Sequence, residues 1–149
     1  MTLTVDVAAD GVRSPLSRAR VAQVARAALR SGRVKDALVS ITFLDRRAIA
    51  RLNARHLGHS GPTDVISFAF ARATSKDPVI GDVYICPDLG RANARARHAP
   101  VREEIARLVV HGVLHVLGHD HPDDDRRESS DMWRRQERLV RRTTAAATR

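Results

Sequence analysis

Cys86 is the only cysteine in the chain, so no internal disulfide can form and the fold must rest on a hydrophobic core. At 149 residues a single domain can bury such a core without covalent staples. Cys86 ends the apolar run that begins at Val83 and reads as a buried structural thiol, with nothing beside it to lower its pKa. Aromatic residues are also scarce. Phe43, Phe68, Phe70, Tyr84 and Trp133 are all there are, too few for the base-stacking platform of a single-strand binder. No stretch reaches the roughly 18 to 20 apolar residues of a membrane span, and the first seven residues lack the charged start and long apolar run of a signal peptide. A soluble cytoplasmic protein with no membrane partner is expected. Repeats, linkers and low-complexity segments are missing too, which leaves residues 1–149 as one domain.

Lysine is nearly absent. Only Lys35 and Lys76 break an otherwise all-arginine set of 26 basic residues, set against 17 acidic ones for a net charge of +9. A polyanion is the natural partner class for that charge. An arginine-rich and alanine-rich composition also fits coding bias in a GC-rich genome, so charge alone does not establish nucleic-acid binding.

What the chain does have is histidine in one place. Four of its seven histidines fall in His111-Gly112-Val113-Leu114-His115-Val116-Leu117-Gly118-His119-Asp120-His121. The apolar stretch around them is too long for a strand and predicts a buried helix from about Pro100 to Leu117. Residues four apart share one helix face, so His111 and His115 can hold one metal ion between them. Gly118 ends the helix, because glycine tolerates the left-handed conformation that a reversal needs, and the returning chain brings His121 toward the pair. His-x-x-x-His-x-x-Gly-x-x-His has the ligand spacing of the metzincin proteases. Gly112, however, stands where a zincin carries its glutamate. His121 is favoured as third ligand on spacing, with His119 the alternative. Three neutral imidazoles with no evident fourth protein ligand point to one zinc ion with an open position, which suits hydrolysis because an open zinc lowers the pKa of bound water to about 7. Asp120 closing that position would make the site structural instead.

Along the rest of the chain, Leu3, Val5 and Val7 alternate as a strand, and Ser14-Pro15 opens a helix with an apolar stripe at Val21, Val24, Ala25 and Leu29, ended by Gly32. Residues 37–44 form a second strand, Asp45 caps a helix running to about His56, and residues 64–70 and 79–86 form two more strands, the last interrupted by Gly81-Asp82. That glycine marks a bulge or a close approach of backbone to ligand. Pro87-Asp88 starts a short helix carrying Arg91, Arg95 and Arg97, candidates for part of a phosphate-contacting surface. After the polar turn at residues 121–125, a last helix over 128–142 has its stripe at Met132, Trp133 and Leu139, and residues 143–149 fray. The fold class expected is α+β: one small sheet with the metal-binding helix buried on it. Asp64 and Asp82 are turn or strand-entry residues, or else groups that orient a ligand imidazole.

The histidine run, together with Leu52-Asn53, Pro62-Thr63-Asp64-Val65-Ile66-Ser67-Phe68 and Gly81-Asp82-Val83, resembles the YbeY-like family of bacterial rRNA maturation endoribonucleases over nearly the whole chain. The resemblance implies an α+β domain with a four-stranded mixed sheet and a zinc ion on three histidines, which map onto His111, His115 and His121. It also implies a single-strand-directed endoribonuclease acting in 16S rRNA 3′-end maturation and ribosome quality control, with single-stranded RNA and the small ribosomal subunit as partners. The chain departs from the family pattern at one position: a functionally important arginine usually follows the Leu-Asn pair by four residues, and here that position is Leu57. Arg55 is near in sequence but lies about 200° around the helix from it. Two other functions compete with an RNA hydrolase: a zinc peptidase, against which Gly112 argues, and a non-catalytic ribosome assembly factor in which zinc only ties the last two helices together. The sequence names no general base.

Overall fold

A computed structural model describes residues 2–121 and 126–147. Four strands, β1 (Leu3–Asp10), β2 (Ala37–Leu44), β3 (Val65–Ala69) and β4 (Val79–Ile85), form one mixed sheet in the order β1-β2-β4-β3. The first three in that order run parallel, and β3 pairs antiparallel with β4. Five helices surround it: α1 (Arg18–Ser31), α2 (Arg46–Leu57), α3 (Pro87–Arg97), α4 (Val101–Val116) and α5 (Asp131–Ala147), with a one-turn 3-10 helix at Arg127–Ser129 before the last.

Strand periodicity divides the sheet into two faces. Ala37, Val39, Ile41 and Phe43 of β2 and Val79, Val83 and Ile85 of β4 point into the main core with α1, α4 and α5. Leu44, Ile66 and Cys86 instead join Ile49 of α2 in a smaller cluster, so Cys86 is the buried free thiol expected of it. The Gly81-Asp82 step does not interrupt β4. Gly81 pairs with Val39 in register, and Asp82 accepts a hydrogen bond from Ser40 Oγ on the neighbouring strand at 2.5 Å. A Cβ on Gly81 would meet Val116 Cγ1 at 2.5 Å and the Phe68 carbonyl at 2.9 Å, so the close approach is to helix α4 rather than to a ligand.

Helix α4 is the centre of the fold. Twelve of its sixteen residues are buried, which is why it is apolar nearly all round. Each of its buried valines, leucines and isoleucines contributes about 1.5–3 kcal/mol of transfer free energy. That gain outweighs the cost of holding Glu104, Arg107 and His111 in the same helix, since the first two neutralise each other.

Several boundaries differ from the sequence expectation. Helix α1 starts at Arg18 with Ser17 as its cap, accepting from Arg20 N at 3.1 Å, because Ser14 uses its hydroxyl in a turn that accepts from Leu16 N. Helix α5 starts at Asp131, three residues later than expected, because residues 127–129 close a 3-10 turn and Ser130 Oγ accepts from Trp133 N at 3.2 Å. It continues through Ala147, so residues 143–147 are helical. The polar turn expected at 121–125 lies outside the described residues after His121.

Candidate metal centre

The C-terminal end of α4 carries the site, and its cap makes the third ligand possible. The Gly118 N–H donates to the His115 carbonyl at 2.9 Å and the His119 N–H to the Leu114 carbonyl at 3.0 Å, with Gly118 at φ +97°. This paired closure is the Schellman arrangement, and it reverses the chain over the last turn of the helix. His121 is thereby returned to His111 and His115. The ligating atoms of the three imidazoles lie within 4.8 Å of one another. His119 stays outside the cluster, and so does Asp120, whose carboxylate accepts the His121 backbone N–H at 2.8 Å.

The tautomer of His111 is settled by a neighbour. Its Nδ1 lies 2.6 Å from Gln136 Oε1, and Gln136 Nε2 donates to Glu137 Oε2 at 3.1 Å. The amide therefore presents oxygen to the imidazole, Nδ1 carries the proton, and the lone pair sits on Nε2. That Nε2 is 3.0 Å from His115 Nε2. Two nitrogens bound tetrahedrally to zinc at 2.0–2.1 Å stand about 3.3 Å apart, so the pair is set at close to a metal-ligand spacing. Burial drives the His111 pKa down to about 3, with His115, Arg127 and His121 adding to the effect and Gln136 opposing it. Burial also lowers His115, followed by the charge of His121. Both rings are held as neutral imidazoles, the form that binds metal.

Beside the ligands a cleft of about 380 Å³ opens between α3, α4 and α5, with His111 in its wall. Glu104 and Arg107 line it as a buried pair at 2.6 Å, and Arg107 also grips Glu137 through two bonds of 2.9 and 3.0 Å. This clasp ties α4 to α5. Burial pushes the Glu104 carboxyl up, with Arg107 and Arg97 pulling it back. Glu137 is also raised by burial, but the hydrogen bonds from Arg107 and Gln136 overcome that and hold it below its ordinary value. Arg127 reaches the same cleft, and its buried Nε has no hydrogen-bond partner among the described residues.

The sequence candidates are distributed unevenly around this cleft. Arg97 lines it, stacked 5.1 Å above the Trp133 ring and paired with Glu104 at 3.4 Å. Arg91 pairs with Asp88 at 3.3 Å and Arg95 is exposed farther along α3. Asp64 faces the cleft and accepts from Asn93 Nδ2 at 2.9 Å, while Asp82 is engaged by Ser40; the group that orients a ligand imidazole is Gln136. Gly112 is packed against the sheet: a Cβ there would meet Val83 Cγ1 at 2.5 Å. A glutamate at 112 would be driven into β4 rather than into the cleft, so this helix has no room for the zincin general base. Leu57, at the end of α2, is 46 % exposed.

The family profile described as Endoribonuclease YbeY matches residues 9–144. The chain belongs to the YbeY endoribonuclease family. A Frankia alni protein named Endoribonuclease YbeY is 33 % identical over 149 residues, covering 93 % of this chain and 81 % of the relative. A protein of the same name from Thermobifida fusca is 35 % identical over 147 residues, covering 93 % and 92 %. The solution structure of TM1509 from Thermotoga maritima superposes with a TM-score of 0.62 at 22 % identity, covering 97 % of this chain and 92 % of that one, a likeness of fold. The α+β fold with one four-stranded mixed sheet is what this chain has in common with that structure. Among the described residues no helix is long and apolar enough to cross a membrane.

Proposed function

We propose that residues 1–149 act as one zinc-dependent endoribonuclease domain that cuts single-stranded RNA in the cytoplasm, with the 3′ end of 16S rRNA and the quality control of ribosomes as its setting. The observation that carries the reading is the convergence of His111, His115 and His121 beside a cleft that also receives Arg97 and Arg127. Three imidazoles are a borderline-soft donor set suited to zinc, one ion per chain, with room for a further ligand. When bound, the ion supplies Lewis acidity toward a phosphodiester and acidifies a coordinated water.

The chain's own residues do the rest. Gln136 holds the His111 proton on Nδ1, the buried walls keep His111 and His115 neutral, and the arginines bring positive charge to where a phosphate would sit. On α3, Arg95 extends that charge away from the cleft, and Arg91 joins it where a phosphate displaces Asp88 from it. The fit of Gly112 against the sheet weighs against a peptidase. The Arg107–Glu137 clasp, which needs no metal to join α4 to α5, weighs against a zinc that serves structure alone.

The test is cleavage of single-stranded RNA, duplex RNA and casein by zinc-loaded and chelator-stripped protein, with His115→Ala alongside. Zinc-dependent cutting of single strands only is expected. Casein turnover, or RNA cutting that survives both metal removal and the substitution, overturns the proposal. A 5′-phosphate opposite a 3′-hydroxyl would assign the attack to water, and a 2′,3′-cyclic phosphate would assign it to the neighbouring 2′-hydroxyl.

A further inference from the structure

The arginines of this chain divide into two groups by what faces them. Around α3 and the cleft four of them meet carboxylates, Arg46 and Arg91 at Asp88, Arg97 and Arg107 at Glu104, and Arg107 again at Glu137, while Arg95 of α3 is exposed without an ion pair among the described residues. Along α1 they do not. A groove of about 650 Å³ runs between α1 and α5, lined by Arg20, Arg30 and Arg142 with Gln23, Ser31 and Thr143, and among the described residues no carboxylate lines it. From Arg30 a shallower depression continues to Arg26 and Lys35, again without a carboxylate. Among the described residues none of these five cations forms an ion pair.

Two of the five are nevertheless aimed. Arg20 donates to Gln23 Oε1 at 3.0 Å and to the Thr143 carbonyl, and Arg26 Nε donates to the Leu3 carbonyl at 3.2 Å. Neutral acceptors fix a guanidinium in place without cancelling its charge. Gathering uncompensated cations in one groove costs stability through mutual repulsion, and the cost is relieved when an anion arrives with several charges at once.

We propose that the α1–α5 groove is a second RNA site, which takes the phosphodiester backbone of the same strand at a distance from the cleaved bond. The proposal rests on the reading of the metal cleft as an RNA-cutting site. The groove shares no lining residue with the cleft, but α5 borders both, with Gln136 in one and Arg142 in the other about 9 Å farther along its axis. Six residues also turn an α-helix by about 600°, so a strand leaving the cleft reaches the groove by passing about 120° around α5. No aromatic ring lines it among the described residues, so binding there is independent of base sequence.

The Arg30 and Arg142 side chains are exposed and form no hydrogen bond within the described protein that a substitution would break, which makes Arg30→Gln/Arg142→Gln the informative variant. Binding is read by fluorescence anisotropy between roughly 50 and 200 mM salt, on a single-stranded RNA of about 30 nucleotides and on one of about 6. The variant is expected to bind the long RNA more weakly, with its log K against log salt slope smaller by about 1.4, or 0.7 for each phosphate no longer neutralised. Its zinc content, melting temperature and rate on the short RNA should match wild type. An unchanged slope on the long RNA, in a wild type that binds and cuts RNA, overturns the groove alone. A wild type that binds neither RNA overturns the RNA reading and the groove with it. Lower affinity for phosphatidylglycerol vesicles with unaltered RNA binding would assign the groove to a lipid surface and overturn the proposal.

Discussion

His111 Nδ1 and Gln136 Oε1 stand 2.6 Å apart, and through that one contact α5 decides which nitrogen of the α4 histidine is free for metal. Gln136→Leu keeps the volume and removes the acceptor. The buried Nδ1–H is then unpaired at a cost of about 1–3 kcal/mol, or the ring turns over and withdraws Nε2 from the site. Zinc affinity should fall by roughly 10- to 100-fold. Competition titration against a chelator measures it, and an unchanged affinity would show that the cluster sets its own tautomer.

The ligand assignment makes a separate claim. His111→Ala and His115→Ala should each abolish stoichiometric zinc, because two imidazoles and water do not hold the ion tightly. His119→Ala should keep it, since His119 contributes only its backbone to the helix cap. Metal analysis of the purified variants settles the matter: full zinc in either of the first two, or its absence from the third, would reassign the ligands.

Much of this was legible in the residues themselves, and for a physical reason. A histidine pair at i and i+4 and a glycine stop are local features, so spacing alone places His111 and His115 on one helix face with Gly118 just past the helix end. Apolar periods, the length of the α4 run, strand-type composition and capping residues between them marked the nine principal elements, because all four are signals carried by residues near in sequence. Gln136 and the Arg107–Glu137 clasp were not legible, because the partners stand 25 and 30 residues apart across the α4–α5 interface. A signal for Gln136 does exist: it interrupts the stripe of Met132, Leu139 and Val140, and a polar residue fully buried on an apolar stripe needs a partner. The role of Gly112 was half visible, since the missing glutamate showed but the Val83 side chain that excludes it did not.

The clasp on Arg107 should respond to acid with two signs. Glu137 has a folded pKa below its ordinary value of 4.5, because the bonds from Arg107 and Gln136 outweigh burial; its stabilisation is present above 4.5 and lost as pH falls through the folded value. Glu104 is raised by burial, so its contribution is present below 4.5 and lost as pH rises through its folded value. Glu137→Gln should therefore flatten the acid arm of the stability profile, and Glu104→Gln should steepen it. Melting temperatures from about pH 3 to 7 measure both, on zinc-free protein so that metal release does not intrude; the depressed His111 and His115 titrate in this window in all three proteins and cancel in the comparison. Parallel profiles for all three proteins would contradict the assignment.

Arg127 puts a positive charge near His111 and His115, where it would repel a cation held by them. Arg127→Ala should leave zinc affinity equal or slightly higher, as a repelling cation is gone. Cleavage should slow by about 10- to 100-fold, the equivalent of one charge-assisted contact of roughly 1.5–3 kcal/mol to the substrate phosphate. A variant as fast as wild type would leave the unpaired Nε without a role in the reaction.

Leu57 stands where the resemblance described above implies an arginine, and its environment removes the simplest objection to placing one there. It is 46 % exposed at the last position of α2, before Gly58 turns the chain at φ +68°, so its removal opens no core cavity. Apolar exposure at that site gives the protein nothing that arginine would take away; the longer side chain keeps an apolar stem and puts its charge in water or on a phosphate. If the charge reaches RNA mainly in the transition state, Leu57→Arg should raise the cleavage rate by about tenfold, equivalent to about 1.4 kcal/mol, at unchanged zinc content and melting temperature. A melt run beside the cleavage assay separates a contact from a packing effect. Faster cutting at constant melting temperature supports the contact; slower or equal cutting by a stable variant refutes it and leaves the phosphate to Arg97 and Arg127, which line the cleft where Leu57 does not.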